Sequence, residues 1–349
     1  MMRLLIRTDA SEQIGTGHVV RCLTVASRMA ARGHQVVFAM RETRGNLIGL
    51  VREKGFSVLS WPDAESFDWA RDAANVIKVI DGRPFAACLV DHYGIDVRWE
   101  RQICRHIPQI AVIDDLADRP HDCRILLDQN LAEDYASRYD SLVPADCHRL
   151  LGPNYMLLRD EFPNARRTVR PRRGQMNRLL IFMGGSDPSG ETVKILAALN
   201  SLSFARVDVV VGLANRRREQ IRSICRQRGY AFYCQIDFLA QLLAAADFAC
   251  GAGGISLWER LYLGLPSLTT VVAANQRAVT ELIRKKGLTL YCGTNPTVTA
   301  ETYRIQLEHA AREPEMLAGM SRKALELTRS MGNGGDALAV NLEKLEAYI

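Results

Sequence analysis

Short apolar runs alternate along this chain with longer stretches whose apolar residues recur at helical spacing. Short apolar runs bounded by Gly, Pro or polar clusters predict strands, and the longer period predicts helices. In the first half the strands fall at Arg3–Thr8, Gln35–Met40, Ala87–Asp91, Ile110–Asp114, Ile125–Asp128 and near His148–Leu151. Helices lie between them, notably Val19–Arg32, Gly45–Lys54 and Val97–His106. After an Arg-rich segment the alternation restarts with strands Arg178–Met183, Arg206–Val211, Tyr230–Tyr233, Phe248–Gly251 and Ser267–Thr270. Such alternation predicts parallel sheets with helices on both faces. Two series predict an α/β protein of two doubly wound, Rossmann-like domains facing across a cleft, at 1–162 and 178–331. Residues 163–177 would link them. A final helix at about Ala337–Tyr348, within 332–349, follows the Gly332-Asn333-Gly334-Gly335 break and is placed to pack back on the first domain.

Composition narrows the class. The 349 residues suffice for two cores, and 48% hydrophobic with 24% charged residues is the balance of a globular protein. The start, MMRLLIRTDA, is too short and too soon polar for a signal peptide, and no apolar run reaches the length of a membrane span. A cytoplasmic protein without membrane insertion is expected. The net charge of +6 suits an anionic ligand, but Arg166, Arg167, Arg170, Arg172, Arg173 and Arg178 supply much of the excess. With no aromatic residues interleaved for stacking, that segment reads as a solvated linker and not a nucleic-acid patch. The nine cysteines include no Cys-x-x-Cys pair and several sit inside apolar runs, so reduced core thiols are expected over disulfides or zinc.

Ligands of doubly wound sheets bind at the carboxyl ends of the strands, and there the sequence carries its chemistry. Directly after the first strand comes Ile14-Gly15-Thr16-Gly17-His18-Val19-Val20-Arg21-Cys22. Gly15 and Gly17 at a strand-to-helix turn let backbone N–H groups approach an anion, and the helix N-terminus favours negative charge. His18, in the first turn, is biased by the same dipole towards its neutral, proton-accepting form. The plain alternative is a packing turn with a helix-capping histidine. A dinucleotide loop is excluded, because the third glycine is missing and Arg41 ends the next strand where an acid would hold a ribose. In the second half, strand 178–183 ends in Gly184-Gly185-Ser186-Asp187-Pro188-Ser189-Gly190, which is either a phosphate loop or a turn capped by Asp187 or Ser189. Strand 248–251 runs into Ala252-Gly253-Gly254-Ile255-Ser256, with Glu259 one turn into the following helix, then Gly264-Leu265-Pro266 and Asn275-Gln276-Arg277. Backbone donors there fit a diphosphate, and the Glu259 carboxylate can accept from both hydroxyls of a ribose. No metal motif is present. Asp114-Asp115 reads as a loop cap, and no cofactor is expected.

The pairing of Gly-x-Gly-His with Gly-x-Gly-Gly, Glu259 and Asn275-Gln276 resembles the two-domain nucleotide-sugar glycosyltransferase fold called GT-B, which includes the enzyme adding N-acetylglucosamine to lipid-linked peptidoglycan precursor. More specifically, Arg7-Thr8-Asp9, the Ile14 to Cys22 stretch, Val90-Asp91-His92-Tyr93-Gly94-Ile95-Asp96 with Trp99-Glu100, and Ile113 to Arg119 resemble the UDP-sugar hydrolases of pseudaminic acid biosynthesis. So do Leu127-Asp128-Gln129-Asn130, Gly152-Pro153-Asn154-Tyr155 and the Gly184 to Asp187 turn. That resemblance spans nearly the whole chain. It implies hydrolysis of UDP-2,4-diacetamido-2,4,6-trideoxy-β-L-altropyranose at the anomeric carbon, in the nonulosonic acid route that serves flagellin glycosylation. It also implies a catalytic role for His18, with Tyr93 in the active site. Uridine and diphosphate are implied around Ile236 to Phe238, Gly253, Gly254 and Glu259, with Asn275 near the sugar.

A good leaving group such as UDP needs donors aimed at its diphosphate more than it needs a general acid. Neutral His18 would deprotonate a water attacking C1 opposite UDP, and a single displacement predicts inversion. Asp9, which also ends the first strand, is the rival base. An inverting glycosyltransferase would use a similar base on an acceptor hydroxyl. A non-catalytic UDP-binding subunit would keep the glycine-rich turns without needing His18 and Tyr93 together.

Overall fold

The computed structural model describes residues 1–64, 66–331 and 334–346, and the chain divides into two compact units. The first comprises Met1–Leu158 with the chain end from Met331, and the second is Arg159–Ser330.

The first unit carries seven strands: β1 (Arg3–Thr8), β2 (Gln35–Glu42), β3 (Ser57–Pro62), β4 (Ala87–Asp91), β5 (Ile110–Ile113), β6 (Ile125–Asp128) and β7 (His148–Leu151). All pair in parallel, in the order β3-β2-β1-β4-β5-β6-β7. Burial on both faces explains why Leu4, Leu5 and Ile6 of β1 are consecutive apolar residues. Leu4 and Ile6 pack with Val19, Cys22, Val25 and Met29 of the Gly17–Ala31 helix and with Leu338 and Leu342 of the Gly334–Glu346 helix. Leu5, on the opposite face, packs with Ala73 and Val76 of the Trp69–Ile80 helix and Trp99 of the Val97–Cys104 helix. Arg32 and His34 both reach Glu343, tying the chain end to this unit. Of the break before that helix, Gly332 and Asn333 lie outside the described residues, as do 347–349.

The second unit repeats the plan with β8 (Arg178–Phe182), β9 (Arg206–Val211), β10 (Ala231–Cys234), β11 (Phe248–Ala252), β12 (Ser267–Val271) and β13 (Leu290–Thr294). Their order is β10-β9-β8-β11-β12-β13, again parallel. Its core joins Leu179 and Ile181 to Val209, Phe248, Leu268 and Tyr303.

Two strands were absent from the sequence reading, β3 and β13. Both strands lie at sheet edges, are half-exposed, and carry Pro62 or Gly293, so neither forms a continuous apolar run. The segment 163–177 belongs to the second unit, and while Arg167, Arg170 and Arg173 are exposed, two of its arginines are not solvated. Arg166 donates to the carbonyls of Tyr262 and Leu325, and Arg172 to those of Leu243, Ala244, Ala246 and Leu263. Most of those carbonyls end the Leu239–Ala245 and Ile255–Tyr262 helices, where the last C=O groups lack intrahelical donors. Burial pushes Arg172 down to about 10. All nine cysteines are free. Among the described residues no helix is long and apolar enough to cross a membrane.

Candidate active site

In a doubly wound sheet the chain leaves its two central strands in opposite directions, which opens a crevice at their carboxyl ends. In the first unit those strands are β1 and β4. Asp9 follows β1, His18 opens the helix after it, Asp91 ends β4, and His92 and Tyr93 follow β4. Residues far apart in sequence therefore meet at one sheet edge.

His18 is buried, and its Nδ1 lies 2.6 Å from Asp91 Oδ1. An ionised carboxylate can only accept, so Nδ1 carries a proton, and in the neutral ring Nε2 is the acceptor. The Tyr93 ring meets the imidazole edge-on at a centroid distance of 4.4 Å, fixing its plane. Burial would raise the Asp91 carboxyl, but Arg21 and then His18 hold it well below the usual carboxylate range. Asp91 therefore stays charged beneath the imidazole. The helix N-cap, Thr16, makes no side-chain cap, and no acidic residue occupies the first turn. Gly15 turns the chain with φ at +82°, and Gly17 starts the helix. Burial, then Asp115, pushes the Tyr93 phenol up, so it remains a neutral donor.

Two expectations are corrected here. Asp9 is fully buried with both oxygens occupied: Arg7 grips them at 2.7 and 2.8 Å, and the Arg41 backbone N–H and Nε donate at 2.8 and 2.7 Å. Burial opposes its charge, yet Arg7 and His92 hold its carboxyl well below the ordinary value. A carboxylate so engaged is a poor base, so Asp9 is a structural anchor. Arg21, expected at the substrate, is also buried. It clamps Asp91 through Nε and Nη2, both at 2.6 Å, and reaches Asp115 through Nη1 at 2.9 Å. Asp91 itself was missed as a site residue. Its only local signal is an acid closing an apolar strand, which Asp128 at the end of β6 shares. Asp114 is held by Tyr139 and Arg119, and among the described residues no three acidic, His or Cys side chains gather to hold a metal.

In the second unit the loops after β8, β10, β11 and β12 all lie at the carboxyl edge of one parallel sheet. They carry Gly185 and Ser186, Ile236 and Phe238, Gly253 to Ser256, and Asn275 with Gln276. After β8, Asp187 accepts from the N–H groups of Glu191 and Thr192 at 2.8 and 3.0 Å. The helix start is thus capped by this chain's own carboxylate, the plain alternative for that loop. After β11 the Ile255–Tyr262 helix has neither a side-chain cap nor an acid in its first turn. Gly253 is packed so closely that an added Cβ would collide with Thr280 Oγ1, whereas one on Gly254 would lie 3.4 Å from Gln276 Nε2. Ser256 Oγ donates back to Ala252 O at 3.3 Å and accepts from Arg260, so it braces the turn. Gln276 accepts from the Val272 N–H at 3.1 Å, and Asn275 stands exposed beside it. Glu259 is buried, with Oε1 3.1 Å from Arg159 Nη2, and Phe238 is exposed, its ring edge-on to Tyr233.

No protein-family model matches the chain. Its likeness to solved structures is broad. MurG of Acinetobacter baumannii superposes with a TM-score of 0.66 at 13% identity, covering 99% of this chain and all of that one. UGT89C1 of Arabidopsis thaliana, crystallised with UDP, gives 0.64 at 14% identity over 98% of this chain and 100% of that one. The fold is GT-B. By sequence the chain resembles the UDP-2,4-diacetamido-2,4,6-trideoxy-β-L-altropyranose hydrolase of Campylobacter jejuni, at 25% identity over 82% of this chain and 97% of that protein. It is 24% identical to the spore coat polysaccharide biosynthesis protein SpsG of Bacillus subtilis, over 88% of each. It is also 23% identical to an uncharacterized protein of Methanocaldococcus jannaschii, over 88% of this chain, which spans 63% of that protein's length.

Proposed function

We propose that the protein is a nucleotide-sugar hydrolase that splits a UDP-linked 2,4-diacetamido-2,4,6-trideoxy sugar at the anomeric carbon. The observation that carries this reading is the Asp91–His18 contact at the sheet's switch point: with Nδ1 donating to Asp91, Nε2 of the neutral ring can accept a proton. Nε2 takes a proton from water as the water oxygen bonds to C1. The C1–O bond to UDP breaks, and its electron pair leaves on the diphosphate. Attack opposite the leaving group inverts C1. Asp91 stabilises the imidazolium formed, and Tyr93 orients the water or an acetamido group. The uncapped start of the Ile255–Tyr262 helix, with Gly253 and Gly254, supports diphosphate binding, while Glu259 keeps a second carboxylate oxygen for ribose.

Likeness to the C. jejuni hydrolase supports this substrate and, with it, a role in pseudaminic acid biosynthesis. The deciding experiment incubates the protein and EDTA with the UDP-diacetamido-trideoxy-altrose and no acceptor, following UDP and the first sugar anomer by proton NMR. Prompt release of the inverted sugar is expected. UDP release only on adding an acceptor would make the protein a transferase, and UDP binding without turnover would make it a binding subunit. His18→Ala should lower turnover about 10²–10⁴-fold, with UDP affinity by calorimetry unchanged.

A further inference from the structure

The guanidinium of Arg21 lies between two carboxylates. On one side it holds both oxygens of Asp91, and on the other it donates through Nη1 to Asp115 Oδ2 at 2.9 Å. Arg21 Nη2 is also 3.2 Å from His18 Nδ1. Nothing in the reaction just described requires an arginine here, and a cation this close works against a histidine that must accept a proton.

We propose that Asp115 is a positioning residue for His18: by holding the far side of Arg21 it leaves the Asp91–Arg21–Asp115 set with one net negative charge facing the imidazole. The three side chains are buried or nearly so, at 0, 3 and 11% exposure, so solvent screens them little. Without Asp115 the Arg21 charge would cancel that of Asp91, and an imidazolium on His18 would face a neutral pair. With Asp115 in place, the proton taken from water is received beside a net anion.

The other groups around His18 do not supply this charge. From its own helix come Arg21 and the Cys22 thiol, which burial and then Asp91 keep protonated. From the β4 turn come Asp91 and the neutral Tyr93 phenol. At the end of β1, Asp9 is spent on Arg7 and Arg41. After β5, Asp114 is spent on Arg119. Asp115 alone of these acids reaches Arg21 besides Asp91.

The inference rests on His18 being the base, but its test does not need turnover. The His18 imidazole signals, assigned by their loss in His18→Gln, are titrated by NMR in the substrate-free full chain, in wild type and variants. In Asp115→Asn the midpoint is expected at lower pH than in wild type, and in Asp115→Glu at the wild-type position. In Arg21→Gln, which removes the opposing cation, it is expected at higher pH. An unchanged midpoint in a folded Asp115→Asn protein overturns the proposal. Should that variant not fold, Arg21→Gln decides alone: a higher midpoint supports the proposal, and no rise overturns it. In turnover, Asp115→Asn should lower kcat about tenfold, leave KM near wild type and move the acid limb of the pH profile with the NMR midpoint. Full activity of His18→Ala would instead sink the reading of His18 as base, separately from the NMR result.

Discussion

At the scale of single residues, the site is an exercise in which carboxylates stay available. Asp9 and Asp91 both end central strands of one sheet, and only their partners separate them. Two arginines saturate Asp9, whereas Asp91, gripped by Arg21 alone, also accepts from His18 Nδ1 on the oxygen it shares with Arg21 Nη2. Replacing Asp91 by Asn lets the side-chain amide donate to Nδ1 and favours the tautomer with a proton on Nε2. Turnover should then fall on the order of 10³–10⁴-fold, with KM little changed. Asp91→Asn also weakens two buried charge-assisted hydrogen bonds while Arg21 stays paired with Asp115, so a stability loss of about 1.5–3 kcal/mol in urea denaturation is expected. Asp128 makes the opposite case. Burial pushes its carboxyl up to about 7, against an ordinary 3.8, despite the Asn130 N–H and Arg138. A carboxyl raised on folding stabilises the fold fully below its unfolded value and loses that contribution as pH rises to 7. Asp128→Asn escapes this loss. Its stability relative to wild type should rise between about pH 4 and pH 7 and level off above, as denaturation midpoints at pH 5 and 8 would show. A constant difference would contradict the shifted carboxyl.

At the scale of elements, strand ends and helix starts carry the candidate site, because parallel strands expose their termini at one edge. Two helix starts of the second unit contrast sharply. The one after β8 is closed by Asp187, while the one after β11 is left to Gly253 and Gly254. The crowding at Gly253 makes a prediction. Gly253→Ala would force its methyl into Thr280 and displace the turn, so UDP affinity should fall about tenfold or more. Gly254→Ala, with only Gln276 at 3.4 Å, should bind UDP within a fewfold of wild type. Equal losses in calorimetric titration would show that the turn's conformation does not govern nucleotide binding.

At the scale of the whole molecule, the chain end belongs to the unit it began with. Leu338, Ala339, Leu342 and Leu345 are buried in the first unit's core, and Glu343 is held down to about 2 by Arg32 and His34. Removing 331–349 should therefore destabilise the first unit although the cut lies after the second. Each leucine lost from a core costs about 2–5 kcal/mol, which together rivals the stability of a whole domain. Hydrogen exchange should show β1 and β4 losing protection while β8 and β11 keep theirs. Equal loss in both units would deny this division of the core.

Much of this was legible in the residues alone. The apolar runs of β1, β4, β8 and β11 report burial on both faces, and the glycines before His18 and after β11 report turns that open helices. Those are local properties, set by period and by backbone freedom, and they sufficed for two doubly wound units; the GT-B fold came from the resemblance carried by the glycine-rich turns, Glu259 and Asn275-Gln276. The edge strands β3 and β13 escaped because half-exposed strands need no continuous apolar run. What only the tertiary structure decided is pairing. Whether an aspartate is a base, an anchor or the partner that orients a histidine depends on which side chains other strands bring to it. Coulombic and hydrogen-bond energies turn on separations of a few ångströms across the sheet edge, and His18 and Asp91 stand 73 residues apart in sequence but 2.6 Å apart in space.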